Sequence, residues 1–404
     1  MPTPRTPRVV ALLLLVIPLS QLPIDIYTPA IPRMITELGA PSTLVQNSVS
    51  AYVLGMALGL VPVGVLADAL GRRPVLLSCL ALLCVSSVAI AFCGDAWLLL
   101  GLRFVQGLGG CACMVVVYAI AADVARGREL TSLSGWLGAA WGLAPVIAPA
   151  VGGIIVQFVS WRMIFVLVAV LAGVVAVLVW RLLPETLAAS DRVPVQLRPL
   201  ARVLGAALRR PLFLGLTLVF ALFASAQLLF GVVAPLLYEV RLGIPPGVYG
   251  LLALAIGAAN LAGELATGAL AKRIRPAVLG FGAFAFFAAG TAVLLVTGLT
   301  VGADTVWLTV GGMLVMLGCG ALCPFAYGQA LGLFDRSLGL IGGLTSAVCY
   351  LVVSVTMTAA AGLPDDSVAP MAVVYVGCGA LGAILLALCL RAMRSPVAVP
   401  AASR

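Results

Sequence analysis

Long apolar stretches recur along the whole chain, separated by short polar segments that contain most of its charged residues. About 20 consecutive apolar residues span the hydrocarbon core of a bilayer as an α-helix. Twelve stretches reach this length, so the pattern predicts twelve transmembrane helices. They cover residues 9–32, 44–67, 74–93, 97–122, 132–158, 161–183, 211–238, 248–271, 276–299, 305–330, 337–362 and 369–391.

The composition excludes a soluble protein, since 63% of the 404 residues are hydrophobic and 9% are charged. The first stretch differs from a cleavable signal peptide because it is longer, contains Asp25 and lacks a small-residue cleavage site. Ten cysteines fall mostly in apolar stretches, and we interpret them as packing residues rather than as disulfides or a metal site.

Several classes of chemistry have no support in the sequence. Histidine is absent, which excludes Ser-His-Asp triads and histidine proton relays. No Walker-type phosphate loop or haem-attachment motif occurs. We therefore expect neither an enzyme nor a cofactor or bound metal. The net charge of +9 comes from basic residues between the spans, which indicates membrane orientation rather than nucleic-acid binding.

The basic residues also predict the orientation. Cytoplasmic placement of both termini leaves three of the 23 basic residues outside, Arg33, Arg162 and Arg241, and one, Arg103, within a span. Cytoplasmic loops carry an excess of Lys and Arg. The arginine-rich composition suggests a bacterium, so we expect a multi-pass protein of the bacterial cytoplasmic membrane.

The longest polar segment, residues 184–210, divides the chain into residues 1–183 and 211–404. Residues 64–74 resemble residues 268–276, which indicates that one structural unit occurs twice. The predicted fold is an all-α membrane protein with two pseudo-symmetric six-helix bundles joined by a cytoplasmic linker.

One carboxylate lies within the first span. Helical spacing places Gln21, Asp25 and Thr28 on one face. A functional role is the default for an ionisable residue inside a membrane. The alternative, an interfacial carboxylate, is disfavoured because aspartate is too short to reach the headgroups from mid-span. We predict that Asp25 takes and releases the coupled proton.

Arg103 is the only basic residue within a span, at a depth similar to that of Asp25. Its equivalent in the second half is Met313, so the charge belongs to one half. We predict a direct or water-bridged attraction that lets Arg103 tune proton release from Asp25. The alternative is a structural arginine that donates hydrogen bonds to helix carbonyls.

Other polar residues lie in apolar spans. We expect a polar cavity between the spans to be lined by Gln21, Tyr27, Gln106, Gln227 and Tyr327. Glu264 is about two turns from Lys272. We expect an interfacial or ion-paired role for it, with proton coupling as the alternative.

Two motifs complete the candidate set. The loop after the second span contains Gly64, Asp68, Gly71, Arg72 and Arg73, and its simplest interpretation is a positively charged cytoplasmic loop. The fifth span contains Gly142, Pro145, Pro149, Gly152 and Gly153. Two prolines four residues apart leave carbonyls without donors and bend the helix. The bend has either a functional role or a purely structural one.

Together these segments resemble the major facilitator superfamily, and within it the twelve-helix drug:proton antiporters of the bicyclomycin and chloramphenicol resistance group. The loop is similar to G-x-L-A-D-R-x-G-R-R-x-x-L, with Ala69 in place of one arginine. Arg103, Gln106 and Gly107 match R-x-x-Q-G, and the fifth span resembles the antiporter motif. The segments 25–32 and 183–186 are also similar to this group.

The resemblance implies alternating access. Two halves would rock about a site near the bilayer midplane, with proton entry driving export of a drug-like compound. Asp68, Arg72 and Arg73 would form a conformational latch. The implied partners are a small-molecule substrate, protons and lipid, without nucleic acid, and the implied state is a monomer. A facilitator or exporter of a metabolite such as a sugar or amino-acid derivative stays open, as does a non-transporting receptor.

Overall fold

The computed structural model describes residues 6–192, 197–271, 273–334, 338–364 and 367–394. Within these ranges the chain is helical without strands, and twelve helices are long and apolar enough to cross a membrane. This confirms the predicted fold class. The spans, α1 to α12, are Pro7–Leu38, Ser42–Leu70, Arg72–Ala91, Ala96–Val124, Ser132–Phe158, Arg162–Leu182, Pro211–Arg241, Pro246–Leu270, Pro276–Thr300, Thr305–Leu331, Gly339–Ala360 and Ala369–Met393.

The first span is not one regular helix. Three α-helical pieces, Thr6–Val16, Leu22–Asp25 and Ile31–Leu38, alternate with 3-10 turns at Ile17–Ser20 and Thr28–Ala30. Prolines at positions 18, 23 and 29 explain the interruptions, because proline lacks the N–H that an α-helix needs at each interior position. Asp25 therefore ends a single helical turn at an irregular part of the membrane-spanning backbone.

The internal repeat is visible in the packing of equivalent helices. In the first half α2 packs on α4, and in the second half α8 packs on α10. Gly59 lies against Cys111 of α4, and its repeat equivalent Gly263 lies against the backbone of Leu317 in α10. Small residues let backbones approach closely where lipid supplies no hydrophobic drive.

The two halves meet through α2 with α11 and through α5 with α8. We call the end of the bundle at which α6 leads into residues 184–210 the linker end, and the opposite end the far end. The Ser354 hydroxyl donates to the Ser50 carbonyl (3.0 Å), which joins α11 to α2 in the half of the bundle nearer the far end.

The segment between the halves contains a helix that the sequence did not predict. It covers Leu197–Leu208, and its residues Val203, Leu204 and Ala207 join an apolar cluster with α7, α10, α11 and α12. The polar stretch 184–210 is therefore partly packed onto the second half.

Candidate functional site

A cavity lies where α1, α5, α7 and α8 meet, between the two halves of the chain. About 680 Å³ of space lies between its lining atoms, and this volume includes open solvent. Its polar wall consists of Gln21, Asp25, Thr28, Gln227, Tyr249 and Asn260. The prolines of α5, Pro145 and Pro149, also line it, so the proline-containing stretch of this helix faces the cavity.

Asp25 is the only charged residue on the wall of this cavity in the described part of the chain. The Gln21 amide donates to Asp25 Oδ2 (2.8 Å), and the Thr28 hydroxyl donates to the Asp25 backbone carbonyl (2.9 Å). These three residues share one wall, as their helical spacing predicted. No other described group donates to the carboxylate, so Oδ1 is available to a ligand or a proton.

Arg103 lies behind this wall and is fully buried. Its guanidinium donates to the Pro23 carbonyl (3.0 Å) and the Ser48 carbonyl (3.3 Å), and also to Gln106 Oε1. In the described ranges it forms no ion pair with a carboxylate. The direct attraction to Asp25 is thus not formed here, and the carbonyl-bonding alternative describes the geometry.

Two residues expected in the cavity instead surround Arg103. The Tyr27 ring centroid is 4.3 Å from the guanidinium carbon, and its hydroxyl is 2.7 Å from Ser48 Oγ. The Gln106 amide donates to Ser87 Oγ (2.7 Å). Both side chains hold Arg103 in place, so neither reaches the cavity wall in this structure.

Of the other residues that we expected in the cavity, some line it and one packs elsewhere. Gln227 lines the cavity with Gln21. Tyr327 lies outside it, where its ring packs against Phe220 with centroids 5.5 Å apart. The structure also adds Asn260 and Tyr249 from α8. The sequence analysis missed Asn260, although it is a polar amide in an otherwise apolar span, one turn before Glu264.

The antiporter-like motif of α5 contacts both halves. A Cβ at Gly152 would stand 1.8 Å from the Ile26 carbonyl oxygen of α1, and one at Gly153 would stand 2.4 Å from the Pro246 carbonyl oxygen of α8. Gly142 faces the Glu264 carboxylate of α8. The motif therefore provides a surface on which α1 and α8 approach α5 at backbone distance.

Glu264 is half-buried beside the cavity and accepts a hydrogen bond from the Asn260 amide (2.9 Å). Lys272, the ion-pair partner considered for it, lies outside the described residues. Through Asn260, which lines the cavity, the Glu264 carboxylate is connected to the wall that faces Asp25.

The charged side chains of the loop between α2 and α3 form their polar contacts within the first half. Gly71 has a φ of +110°, a backbone conformation that residues with a Cβ rarely adopt. Asp68 pairs with Arg72, and Arg72 Nε lies 3.2 Å from Asp123 Oδ2 at the end of α4. Arg73 donates to the Trp180 carbonyl of α6. Gly64 packs against Val115 of α4.

A residue that follows α6, Glu185, also bonds to the loop between α2 and α3. The Glu185 carboxylate accepts the backbone N–H groups of Arg72 (2.9 Å) and Arg73 (3.2 Å), the first two residues of α3. Thr186 Oγ1 donates to Asp123 Oδ2 (2.9 Å). A carboxylate at a helix N-terminus complements the helix dipole. Glu185 was noted only as part of a resemblance, and Asp123 was missed, although an acidic residue at the end of an apolar span was a usable signal.

Comparison with known proteins identifies the family of the chain. A family model described as Major Facilitator Superfamily matches residues 13–334, well over half of the chain. The chain therefore belongs to the major facilitator superfamily, as its motifs predicted. Its relatives include bacterial proteins named as transporters, and twelve helices of the described chain are long and apolar enough to cross a membrane.

The relatives include resistance proteins. The chain is 34% identical over 169 residues to the chloramphenicol resistance protein of Pseudomonas aeruginosa, covering 42% of this chain and 40% of that protein. It is 27% identical over 382 residues to the multidrug resistance protein MdtL of Shewanella sp. (strain ANA-3), covering 93% of each. Some curated relatives are thus matched over less than two thirds of their length.

Solved structures share the fold. The crystal structure of a D-xylose-proton symporter superposes with a TM-score of 0.73 at 14% identity, covering 95% of this chain and 96% of that one. At this identity the likeness extends to the architecture of the twelve helices.

Proposed function

We propose that this protein is a proton-coupled exporter of drug-like small organic compounds. The observation that carries the proposal is the cavity between the halves, in which Asp25 is the only charged lining residue of the described chain. A carboxylate at that place can exchange a proton for a substrate. The similarity to chloramphenicol and multidrug resistance proteins supports drug-like compounds as the substrates.

In the proposed cycle, residues 1–183 and 211–404 rock about the cavity and open it to one face at a time, while residues 184–210 connect them. Asp25 binds the proton. Arg103 acts as a positioning residue, because it holds the Pro23 carbonyl two residues before Asp25. The side chains of the latch, Asp68, Arg72 and Arg73, form their bonds inside the first half here. We infer that these bonds are exchanged for others in the opposite state.

We place the protein in a bacterial cytoplasmic membrane with both termini in the cytoplasm, as the distribution of basic residues indicates. It works as a monomer, without enzymatic activity, metal or cofactor, and the proton gradient supplies the energy. Its family and its structural relatives are transporters, which supports this assignment.

The test uses an efflux-deficient bacterial host and inverted membrane vesicles made from it. We expect the protein to protect cells from some members of an antibiotic and dye panel, and an uncoupler to abolish the protection. In vesicles, adding such a compound should dissipate a pre-formed pH gradient, whereas Asp25→Asn should insert normally and leave the gradient intact. Protection from no compound would overturn the export proposal. A wild-type rate in Asp25→Asn would place the proton site elsewhere, with Glu264 next.

A further inference from the structure

We propose that Glu239 is a second proton-binding residue, which takes up a proton when the two halves close at the far end. It lies in the second half, in the last turn of α7, and not on the cavity wall that contains Asp25. This role rests on the rocking of the halves in the proposed function, which assigns nothing to Glu239. It follows from the backbone, the contacts and the unpaired oxygen of this residue.

The backbone around Glu239 is unusual. The last six residues of α7, Leu236–Arg241, form a π-helical turn. The Leu242 N–H donates to the Leu237 carbonyl (3.0 Å), five residues earlier. A single π-helical turn in an α-helix is rare and often occurs at a functional site. Glu239 lies in the middle of this turn and is half-buried.

The π-helical turn is part of the contact between the halves. The last two pieces of α1, Thr28–Ala30 and Ile31–Leu38, pack against α7 and against the turn itself. Within the second half, the ring centroids of Tyr238 and Tyr249 are 5.4 Å apart, and Tyr249 lines the cavity. Glu239 therefore belongs to a contact at the far end, beside the cavity. We call this arrangement the far-closed state and its opposite the far-open state.

The Glu239 carboxylate has no partner in the far-closed state. Its Oε1 is buried and has no hydrogen-bond partner among the described residues, and the salt bridges in these ranges do not include it. A buried charge without a partner is costly, so such a group becomes neutral instead. A proton on the carboxyl group removes this cost. In the far-open state the carboxylate faces water and can stay ionised.

Two charged side chains lie on the end of α1 that packs against the turn, Arg33 and Glu37. The positive charge of Arg33 favours an ionised carboxylate nearby, but its guanidinium donates to the Val156 carbonyl of α5 and forms no ion pair with Glu239 in the described chain. Glu37 accepts hydrogen bonds from Trp161 (2.9 Å) and Arg162 (2.7 Å). Both side chains are therefore bonded inside the first half.

The other titratable groups near Glu239 belong to the second half. The Tyr238 hydroxyl lies 2.7 Å from Thr309 Oγ1 of α10, and Tyr249 of α8 is a tyrosine that is neutral at physiological pH. Arg241, the last residue of the turn, is exposed. These described groups supply no counter-charge to the enclosed oxygen, so we infer that a proton supplies the neutralisation.

Proton uptake at Glu239 makes the balance of the two states depend on pH. The far-closed state holds one more proton than the far-open state, so it is favoured at low pH and lost as the pH rises. For one proton, the ratio of the two states changes by at most about tenfold per pH unit. In the proposed exporter, a proton that arrives from the far side thus favours closure of that side.

Spin labels at the far end of each half test this role. Thr43→Cys at the start of α2 and Val248→Cys at the start of α8 are exposed sites for them. Cys79 and Cys84, the native cysteines that are not buried, are replaced by serine. This parent protein also carries Asp25→Asn, which removes proton binding at Asp25. In lipid nanodiscs without substrate, its distance distribution should shift from far-closed to far-open as the pH rises.

Three variants of the parent protein identify the group that titrates. Glu239→Gln keeps the shape of the side chain without a titratable proton, so it should stay far-closed over the pH range in which the parent opens. Glu239→Asp keeps a carboxyl group and should keep the pH dependence. Glu37→Gln is the matched control, because it removes another far-end carboxylate whose bonds to Trp161 and Arg162 lie inside the first half. It should open as the parent does.

A parent protein whose distances do not change with pH, or an opening that Glu239→Gln leaves unchanged, would overturn the role of Glu239. Failure of the proposed function gives a different result. Cells that are protected from no compound would overturn export, whereas pH-dependent closure that requires Glu239 would stand. Protection that requires Asp25, together with far-end distances that are independent of pH, would keep export and overturn the proton site at Glu239.

Discussion

The carbonyl oxygen of Ile26 lies against Gly152, 1.8 Å from the place where a Cβ would stand. The next residue of the chain after Asp25 is therefore in backbone contact with the antiporter-like motif of α5. This contact couples the position of the α1 turn that contains Asp25 to α5, the helix that also packs on the second half.

Gly152→Ala should destabilise the protein because neither backbone can move away without disturbing its helix. Forcing a methyl group into a packed site costs about 1–3 kcal/mol. We expect a lower temperature for loss of the monodisperse peak in detergent, and slower transport. Gly138→Ala on the same helix is the control, since its Cβ would have no neighbour within 4 Å. Equal thermal stability of the two variants would show that the contact does not restrain α1.

A second prediction concerns the Glu185 carboxylate that caps α3. Glu185→Ala removes the acceptor of the Arg72 and Arg73 backbone N–H groups. Loss of a helix N-terminal cap costs about 0.5–2 kcal/mol. Hydrogen exchange should become faster in the first turn of α3 and stay unchanged in α9, the equivalent helix of the second half. Unaltered exchange in α3 would mean that water replaces the carboxylate without loss.

The third prediction concerns Asp68, whose side chain is 53% exposed although it pairs with Arg72. Exposed pairs of this spacing contribute only about 0.3–0.5 kcal/mol, so Asp68→Asn should leave thermal stability nearly unchanged. If Asp68 finds a partner in the second half in the opposite state, the same variant should shift the ratio of the two states.

Spin labels at the linker ends of α2 and α8 can measure that ratio. Leu70 and Ala271 are exposed positions suited to them. The distance distribution should change in Asp68→Asn and remain as in the wild type in Glu129→Gln. This control removes an exposed carboxylate in the first turn of the helix Gly127–Phe158, which contains α5. An identical distribution in all three proteins would leave the loop as a determinant of membrane orientation only.

Hydropathy predicted the number of spans and placed most of their ends within a few residues, because long apolar runs are strongly constrained by the bilayer. The first span was predicted to end at residue 32, but it continues to Leu38. Charged residues lower the hydropathy of this last part, so the hydropathy pattern does not include it in the span. Arg33 bonds to the Val156 carbonyl, and Glu37 accepts from Trp161 and Arg162.

The site was only partly predictable, for a different physical reason. A helix that is apolar on all sides has no periodic signal to show which face a polar residue occupies. Gln21 and Asp25 were placed together by spacing within one helix. Tyr27 and Gln106 were assigned to the cavity as polar residues of apolar spans, but they contact Arg103 instead. The rotation of α1 and α4 about their axes decides this, and the sequence does not show it.

Arg103 gives the sharpest test, because two explanations of this residue predict different results. Arg103→Met removes the hydrogen bonds that the guanidinium donates to the Pro23 and Ser48 carbonyls, and a hydrogen bond of a charged group contributes about 1.5–3 kcal/mol. The variant should be less stable than the wild type. Arg103→Lys keeps the charge but replaces a planar fork of donors by one ammonium, so its stability should be intermediate.

The discriminating measurement is substrate-induced proton release across pH, made below the melting temperature of the least stable variant. If the charge of Arg103 acts on Asp25, Arg103→Lys should keep the wild-type pH profile and Arg103→Met should change its midpoint. If Arg103 only holds α1 and α2 together through their carbonyls, the folded Met variant should release protons with the wild-type midpoint. Both variants lose hydrogen bonds, but only Arg103→Met also loses the charge. The thermal stability therefore reports the structural role of Arg103, and the midpoint of proton release reports its coupling role. We expect the midpoint to follow the charge.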